Sequence, residues 1–377
     1  MSLLGGYGGY GGYGGYGGYG GYGGYGGYGG YGGYGGGSTP GSLGDAFANP
    51  LVCTALVANR DATSNPTAAS QTPADPDFNN PKNIPRWEAW VRSYLLQWEL
   101  CQGITLVPDT TTSFQLKADG QPLARLAQPA TTFFDDQIPL VLGWADLRLE
   151  RIPEILSQID NQFAFVASVT GLNPDRHRNT VELLVNAIQF TVLIEMQFKH
   201  ALACWRPHQY SAQVQPVITT PGHGSFPSGH STQAFMLARL LQFLLPDTAY
   251  FKTMREQLYR QAARIATNRV IAGVHFPADS VAGRLLGHSI AEYIIARLTK
   301  GDAGKVMYRE FDASVALPNA GAGLDLDLQD PIDAPAWGPF KCYQIYAPAG
   351  VVNTAAAPSV LTKLYKEGQT ERADLAK

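Results

Sequence analysis

The sequence lacks a charge excess of either sign. Its 28 Lys and Arg residues nearly balance 31 Asp and Glu residues, which gives a formal net charge of -3. A protein that neutralises a phosphate backbone usually carries a basic excess, so nucleic acid is not the expected partner. Charged residues make up only 16% of the chain and hydrophobic residues 45%, which is enough apolar material for a packed core.

Cysteine is also scarce, with four residues among 377, and no two of them form a Cys-x-x-Cys pair. This spacing argues against a structural zinc site and against a thioredoxin-like redox motif. A disulfide framework is not expected for a chain of this length. The four positions are Cys53, Cys101, Cys204 and Cys342.

No long uninterrupted hydrophobic run is present. The best stretch, Phe235–Leu245, is broken by Arg239 and Gln242, so we predict no transmembrane segment. The start at Met1 lacks the charged and apolar regions of a secretory signal. An extracellular or cell-surface location is nevertheless the expectation for this chain.

The most unusual feature present is a perfect Gly-Gly-Tyr repeat of ten triplets over Gly5–Tyr34. In polyproline-II geometry, with three residues per turn, every tyrosine would lie on one face and the other faces would present only glycine. We expect either self-association through residues 5–36, into a homo-oligomer or filament, or a flexible tail, since glycine has the most backbone entropy to lose on ordering.

The remaining chain predicts a mainly α protein, a helical bundle with irregular N- and C-terminal extensions. The predicted divisions are the repeat at 1–37, an irregular connector at 38–83, a helical catalytic domain at 84–301 and a loop-rich extension at 302–377. Helices are predicted over Pro85–Cys101, Pro153–Val169, Asn173–Lys199, Ser228–Leu245, Asp247–Ala266, Pro277–Leu298 and Val360–Lys366.

Shorter patterns complete the prediction. Thr105–Thr132 has the alternation and turn residues of a small hairpin, and Leu324–Asp330 is interpreted as a solvated acidic turn. An apolar stripe at helical spacing on the first predicted helix is expected to face the core. Its members are Trp87, Trp90, Val91, Tyr94, Leu95 and Trp98.

Three separated segments share one chemical theme. They are Lys199-x6-Arg206-Pro207, Pro227-Ser-Gly-His230 and Asn268-Arg-x5-His-x3-Asp279. Each segment alone is ordinary and has a structural explanation. Together they supply three cations, two histidines, one carboxylate and a helix N-terminus, which is the set of groups that suits a tetrahedral oxyanion.

Each cation and donor has a physical reason to be there. Arg206 and Arg269 offer planar forks of donors, and Lys199 offers a compact charge. Ser228 is a good N-cap residue, and the amides that follow it, including that of Gly229, would point free N–H groups at an anion. We therefore predict a phosphate-like binding pocket built from these residues.

The histidines supply the proton and electron-pair chemistry. His230 would lie on the first turn of its helix, placed to move a proton. Asp279 would lie in the first turn after Pro277, where it can reach back to His275 and fix its tautomer. The free nitrogen of His275 would then be a nucleophile toward phosphorus or a ligand to an oxometallate. His208 and His223 are expected at the rim, in supporting roles.

The three segments resemble the signature of the type 2 phosphatidic acid phosphatase and vanadium haloperoxidase superfamily, in its soluble bacterial-type branch. That signature has the form Lys-x6-Arg-Pro, Pro-Ser-Gly-His and Ser-Arg-x5-His-x3-Asp. The chain matches it except at Asn268, which stands where the family usually has Ser. The resemblance covers Lys199–Asp279 closely and Pro139–Leu298 more loosely.

The resemblance implies a helical bundle with the site between helices. In phosphatase members, the histidine matching His275 attacks phosphorus and forms a phosphohistidine, and the residue matching Asp279 orients it. The residue matching His230 protonates the leaving group and then activates water. The matching pocket residues hold the phosphate, namely Lys199, Arg206, Ser228, Gly229 and Arg269.

Three functions remain open at this point. A phosphatase would need no cofactor and would take a small-molecule phosphate ester, and this is the function that we favour. A haloperoxidase would hold vanadate in the same pocket, with His275 bonded to vanadium, and would use peroxide and halide. The third possibility is a structural, filament-forming protein built on the enzyme fold.

Overall fold

Helices make up most of the part of the chain that the structure describes, which confirms the predicted mainly α class. The structure is a computed structural model. The Gly-Gly-Tyr repeat and Leu324–Asp330 lie outside the described residues, so their predictions stay predictions. The described residues are 50–64, 80–159, 162–299, 306–312, 343–345, 359–373 and 375.

The chain divides into two compact units, residues 1–93 and 94–377. In the first unit, helix α1 (Pro50–Thr63) is followed by a 3-10 helix at Pro81–Arg86. Asn80 caps the 3-10 helix, because its side chain accepts a hydrogen bond from the backbone N–H of Lys82 at 2.9 Å. Helix α1 lies inside the predicted connector 38–83, where the sequence pattern indicated no regular structure.

Helix α2 (Ala89–Cys101) begins in the first unit and continues into the second. The predicted aromatic core stripe is wrong here, because Tyr94 and Trp98 are 55% and 70% exposed. Leu96 and Leu100, one turn apart, are buried instead. The helix carries apolar residues on two faces, and tertiary packing selects the aliphatic one.

In the second unit, the predicted hairpin is confirmed and belongs to a larger sheet. Strands β1 (Ile104–Pro108), β2 (Ser113–Ala118) and β3 (Gln121–Ala127) form an antiparallel meander. Strand β4 (Arg309–Phe311) pairs parallel to β3, and β5 (Tyr343–Ile345) pairs antiparallel to β4. The last two strands come from the segment that was predicted to be loop-rich.

The helices of the second unit follow the predicted order with shifted boundaries. The predicted helix Pro153–Val169 is wrong as one element, because it is divided between α5, which contains Pro153, and α6. A 3-10 helix at Trp144–Leu147 precedes α5. The helices are α3 (Thr131–Asp135), α4 (Ile138–Gly143), α5 (Arg148–Ser157), α6 (Gln162–Thr170), α7 (Arg178–Leu202), α8 (Pro207–Tyr210), α9 (Gly229–Leu244), α10 (Ala249–Ile271), α11 (Pro277–Thr299) and α12 (Ser359–Ala373).

Helix α11 is the central helix of this unit, since residues 277–298 are all buried. It packs most extensively against α9. Glycine permits this close approach: a Cβ on Gly287 would lie 2.4 Å from the carbonyl oxygen of Thr232 on α9. Buried charge on α11 is compensated, because Glu292 accepts hydrogen bonds from Arg309 at 2.7 and 2.8 Å.

The C-terminal helix α12 caps the start of α7. The Glu371 carboxylate accepts hydrogen bonds from the backbone N–H groups of Asn179 and Thr180, each at 2.9 Å, at the start of α7. A carboxylate at a helix N-terminus satisfies free amides and complements the helix dipole. The predicted short helix at Val360–Lys366 is therefore confirmed and is longer than expected.

By length and composition alone, one segment among the described residues, Arg178–Tyr210, could cross a membrane. Its most apolar window is 61% buried inside the protein, and buried core helices pass the same test. The prediction that no segment spans a membrane stays a prediction.

Candidate active site

The three motifs lie at the ends of five helices, α7 to α11. Lys199 lies in the last turn of α7, which ends at Ala203 in the left-handed conformation. The chain then turns, and Arg206 precedes α8. Ser228 caps α9, and Arg269 lies in the last turn of α10. Functional groups at helix ends can converge on one pocket without interrupting the packed bundle.

His275 lies in the loop between α10 and α11. Two side chains from outside this loop, those of Asp279 and Ser225, hold its ring. Its Nδ1 lies 2.9 Å from Asp279 Oδ2 and 3.4 Å from Ser225 Oγ. The same carboxylate oxygen accepts hydrogen bonds from Ser225 Oγ and from the Phe276 N–H. The predicted contact between His275 and Asp279 is therefore present, with the Nδ1–H donating to the carboxylate.

Arg206 lies on the other side of the same imidazole. Its Nη1 is 3.4 Å from His275 Nε2 and donates to the Val274 carbonyl at 2.8 Å. Its Nη2 lies 3.2 Å from Nδ1 of His223, whose carbonyl accepts from Nε at the same distance. His223 is exposed while Arg206 is buried, so His223 lies at the solvent side of this cluster.

Lys199 holds the loop before α9. Its Nζ donates to the carbonyl oxygens of Gly224 and Ser225 at 3.0 and 3.1 Å. The backbone N–H of Ser228 in turn donates to the Asp279 carbonyl at 2.9 Å. These bonds tie the second motif to the first and the third.

Gln158 joins the remaining two predicted residues. His230 Nε2 lies 3.0 Å from the Gln158 carbonyl oxygen, so this nitrogen carries the proton and donates it. Arg269 Nη2 donates to Gln158 Oε1 at 3.2 Å and to the Ile155 carbonyl at 2.9 Å. Asn268, the departure from the family pattern, donates to the same Gln158 side-chain oxygen at 3.0 Å.

An aromatic cluster secures the chain around the site. Phe134 on α3, Tyr210 on α8 and Phe276 next to His275 form three ring pairs with centroids 4.6–5.7 Å apart. Phe134 and Phe276 are fully buried. Packing of this kind fixes the segments on either side of Arg206 and His275.

Burial and neighbouring cations set the protonation states of the pocket. Burial, reinforced by Arg206 and Lys199, holds the pKa of His275 well below its usual value. Burial and Arg269 do the same to the pKa of His230. Both imidazoles are therefore neutral at neutral pH, and His275 keeps an electron pair on Nε2.

The two other ionisable groups are shifted by the same burial. Burial raises the pKa of Asp279 to about 6, against the opposing hydrogen bond from Ser225. Burial and Arg206 lower the pKa of Lys199 to about 7, while Glu195 and Asp279 oppose the shift. Such perturbed groups in a shared pocket are typical of catalytic sites.

The structure brings all eight predicted side chains or backbone positions into one connected region and adds residues that the sequence reasoning missed. Ser225 lies two residues before Pro227, the first residue of the second motif, and could have been suspected from that position. Gln158 lies far from the motifs along the chain and carries no local signal. Glu195 lies one helical turn before Lys199, a spacing that could have drawn attention to it. Among the remaining histidines, His200 is exposed and His177 accepts a hydrogen bond from a backbone amide, both consistent with structural or surface roles.

The protein is therefore a helical bundle that holds a buried cluster of cations and imidazoles. This set of groups suits a tetrahedral oxyanion. Residues 181–300 match the family model of the PAP2 superfamily, and this segment contains all three motifs. The match supports the PAP2 superfamily and, at a general level, an enzyme of the phosphatase type or a related one. No curated protein was found to match the chain.

Proposed function

We propose that this protein hydrolyses small phosphomonoesters through a phosphohistidine on His275. One observation carries the proposal. A neutral imidazole is held at Nδ1 by Asp279, and its Nε2 lies 3.4 Å from the buried guanidinium of Arg206. A carboxylate partner makes the imidazole a better nucleophile, and the guanidinium is placed to bind the phosphoryl oxygens that the nucleophile approaches.

In the first step, Nε2 of His275 attacks phosphorus and the ester P–O bond breaks. The leaving oxygen takes a proton from His230. Arg206, Arg269 and Lys199 stabilise the charge on the phosphoryl oxygens, together with the amides at the start of α9. The Asp279 carboxylate stabilises the positive charge that develops on the imidazole.

In the second step, water attacks phosphorus and the P–N bond breaks. His230, now neutral, takes the proton of this water, and His275 recovers its electron pair as inorganic phosphate forms. One imidazole therefore serves as nucleophile and leaving group, while the other alternates between acid and base.

The low pKa of His230 is compatible with its role as the acid, because a bound phosphate ester changes the electrostatic potential at this imidazole. Arg269, Lys199 and Arg206 all lower the pKa of His230 in the structure without ligand. A bound phosphate ester carries negative charge into this cluster and offsets those cations, so it raises the affinity of His230 for a proton. Substrate binding thus favours the protonated acid that the first step needs, while burial, the largest cause of the low pKa of His230, continues to oppose it.

The test is release of p-nitrophenol from p-nitrophenyl phosphate by the full chain, titrated with orthovanadate. We expect turnover that vanadate inhibits, since vanadate mimics phosphate in the pocket. When the phosphoryl group of the substrate is radiolabelled, the label should also be found on a histidine after the reaction is quenched without acid. Folded protein that shows neither turnover nor a labelled histidine would contradict the proposal.

A vanadate-dependent haloperoxidase is the second candidate, and the neutral Nε2 of His275 is the observation that favours it. A neutral imidazole is a good metal ligand, and Lys199, Arg206 and Arg269 would hold the vanadate oxygens as they would hold phosphate. Bound vanadate would supply activation of peroxide for halide oxidation. Calorimetric titration of vanadate and a bromide oxidation assay with peroxide separate this candidate from the phosphatase.

Self-association through residues 5–36 is a separate part of the proposal, supported by the perfect period of the repeat. Deletion of these residues should give a smaller particle that keeps its activity. Dynamic light scattering of the full chain and the deletion variant provides the measurement. Equal particle size for the two would contradict an assembly role and favour a flexible tail.

A further inference from the structure

Glu195 is a buried carboxyl next to the pocket that the proposed mechanism does not use. It lies on α7, four residues before Lys199, and is only 1% exposed. A Cβ placed on Gly229 would lie 2.7 Å from Glu195 Oε1. The carboxyl group therefore packs directly against the backbone of the glycine whose amide belongs to the anion pocket.

The hydrogen bonds of this carboxyl are incomplete. Oε1 accepts a hydrogen bond from Gln233 Nε2 at 2.9 Å, and Gln233 Oε1 accepts one from Gln162 Nε2 at 3.0 Å. Oε2 is buried and has no hydrogen-bond partner among the described residues. An ionised carboxylate with one unsatisfied oxygen is costly to bury, whereas a protonated carboxyl is much less so.

The surroundings of Glu195 act in opposite directions on its protonation state. From its own helix, Lys199 favours the ionised form, and from α9 the neutral amide of Gln233 does the same. Burial acts in the opposite direction and raises the pKa of Glu195 to about 7. Lys199 is itself influenced by Arg206, Asp279 and Cys204, and His230 on α9 is neutral.

We propose that Glu195 is a positioning residue that takes up a proton when a tetrahedral dianion enters the pocket. This inference rests on the proposed function, because it requires that the pocket hold such an anion. While Glu195 is ionised, it offsets the charge of Lys199 and repels the incoming ligand. When solvent supplies a proton to the carboxyl, the charges of Lys199 and Arg206 are available to the anion.

Infrared difference spectroscopy with sulfate tests the proposal on the full chain at about pH 7.5. Sulfate is a tetrahedral dianion that does not titrate near neutral pH, so any proton uptake belongs to the protein. We expect sulfate to produce the carbonyl band of a protonated carboxyl. The band should be lost in Glu195→Gln and kept in the matched control Glu182→Gln, which changes a buried carboxyl near the start of the same helix.

A second measurement does not depend on folding of the variant. Wild-type protein labelled with 13C at the glutamate carboxyl carbon should show the same band at lower wavenumber, whereas a band from Asp279 would not move. Calorimetry with sulfate runs in parallel. Sulfate binding without the band, or with a band that the label does not shift, overturns the role of Glu195 and leaves the proposed function intact. Absence of sulfate binding at any pH overturns both.

Discussion

The two imidazoles of the pocket are held by different kinds of partner. His275 Nδ1 contacts the Asp279 carboxylate at 2.9 Å, and His230 Nε2 contacts the Gln158 backbone carbonyl at 3.0 Å. Both contacts fix a ring and a tautomer. Only the first places a negative charge next to the ring, which stabilises a cationic imidazole more than the neutral Gln158 carbonyl does for His230.

This difference supports the two roles that the sequence predicts for these histidines, His275 as nucleophile and His230 as the group that moves a proton. An imidazole that forms a covalent bond to phosphorus becomes positively charged and benefits from a carboxylate. An imidazole that gives up and regains a proton needs a partner that fixes its tautomer, as the Gln158 carbonyl does for His230. Four substitutions test the comparison, from the largest expected effect to the smallest.

His275→Ala should reduce kcat/KM for p-nitrophenyl phosphate by at least about a thousandfold, because it removes the nucleophile. It should also remove the labelled phosphohistidine. His200→Ala, an exposed histidine on α7, is the matched control and should keep wild-type activity. Near-normal turnover by His275→Ala would show that the carboxylate-held imidazole is not the nucleophile.

His230→Ala should reduce turnover by about a hundredfold to ten-thousandfold, because it removes proton transfer in both steps. The loss should be larger for an alkyl phosphate than for p-nitrophenyl phosphate, whose leaving group needs no proton. The phosphohistidine should persist longer, since water is no longer activated. Equal losses for the two substrates, together with a phosphohistidine that lasts no longer than in the wild type, would contradict the acid and base role of His230.

Asp279→Asn should reduce kcat/KM by about 10- to 100-fold, because the imidazole loses its charged partner. The pH dependence follows from the pKa of Asp279, which burial raises to about 6. Above this value the carboxylate is ionised and supports His275; below it the carboxyl is protonated and activity falls. The variant should lose this acidic limb, measured as kcat/KM against pH.

Ser225→Ala should have the smallest effect, a loss of about threefold to tenfold, because it removes one of three hydrogen bonds to Asp279 Oδ2. The acidic limb should move to higher pH, since the Ser225 hydrogen bond lowers the pKa of Asp279. The same pH series measures it. A shift to lower pH would show that Ser225 does not stabilise the carboxylate.

Much of the site could be predicted from local pattern. Ser228 caps its helix and Asp279 reaches back one turn to His275, because both relations depend only on helix geometry. Packing was harder to predict. The sequence placed Trp98 in the core because apolar residues recur at helical spacing, yet α2 turns Leu96 and Leu100 inward instead.

The sequence by itself determined a set of cations, imidazoles and one carboxylate, at spacings that place these groups at helix ends or in the turns beside them. Only the tertiary structure decided which outside groups complete the pocket. Gln158, just after α5, lies far from every motif along the chain and reaches His230 and Arg269 only through packing. Glu195 lies four residues before Lys199, yet its contact with Gly229 on α9 exists only between packed helices. The physical reason is that spacing along one helix fixes a contact between near neighbours, whereas contacts between helices exist only after the bundle has packed.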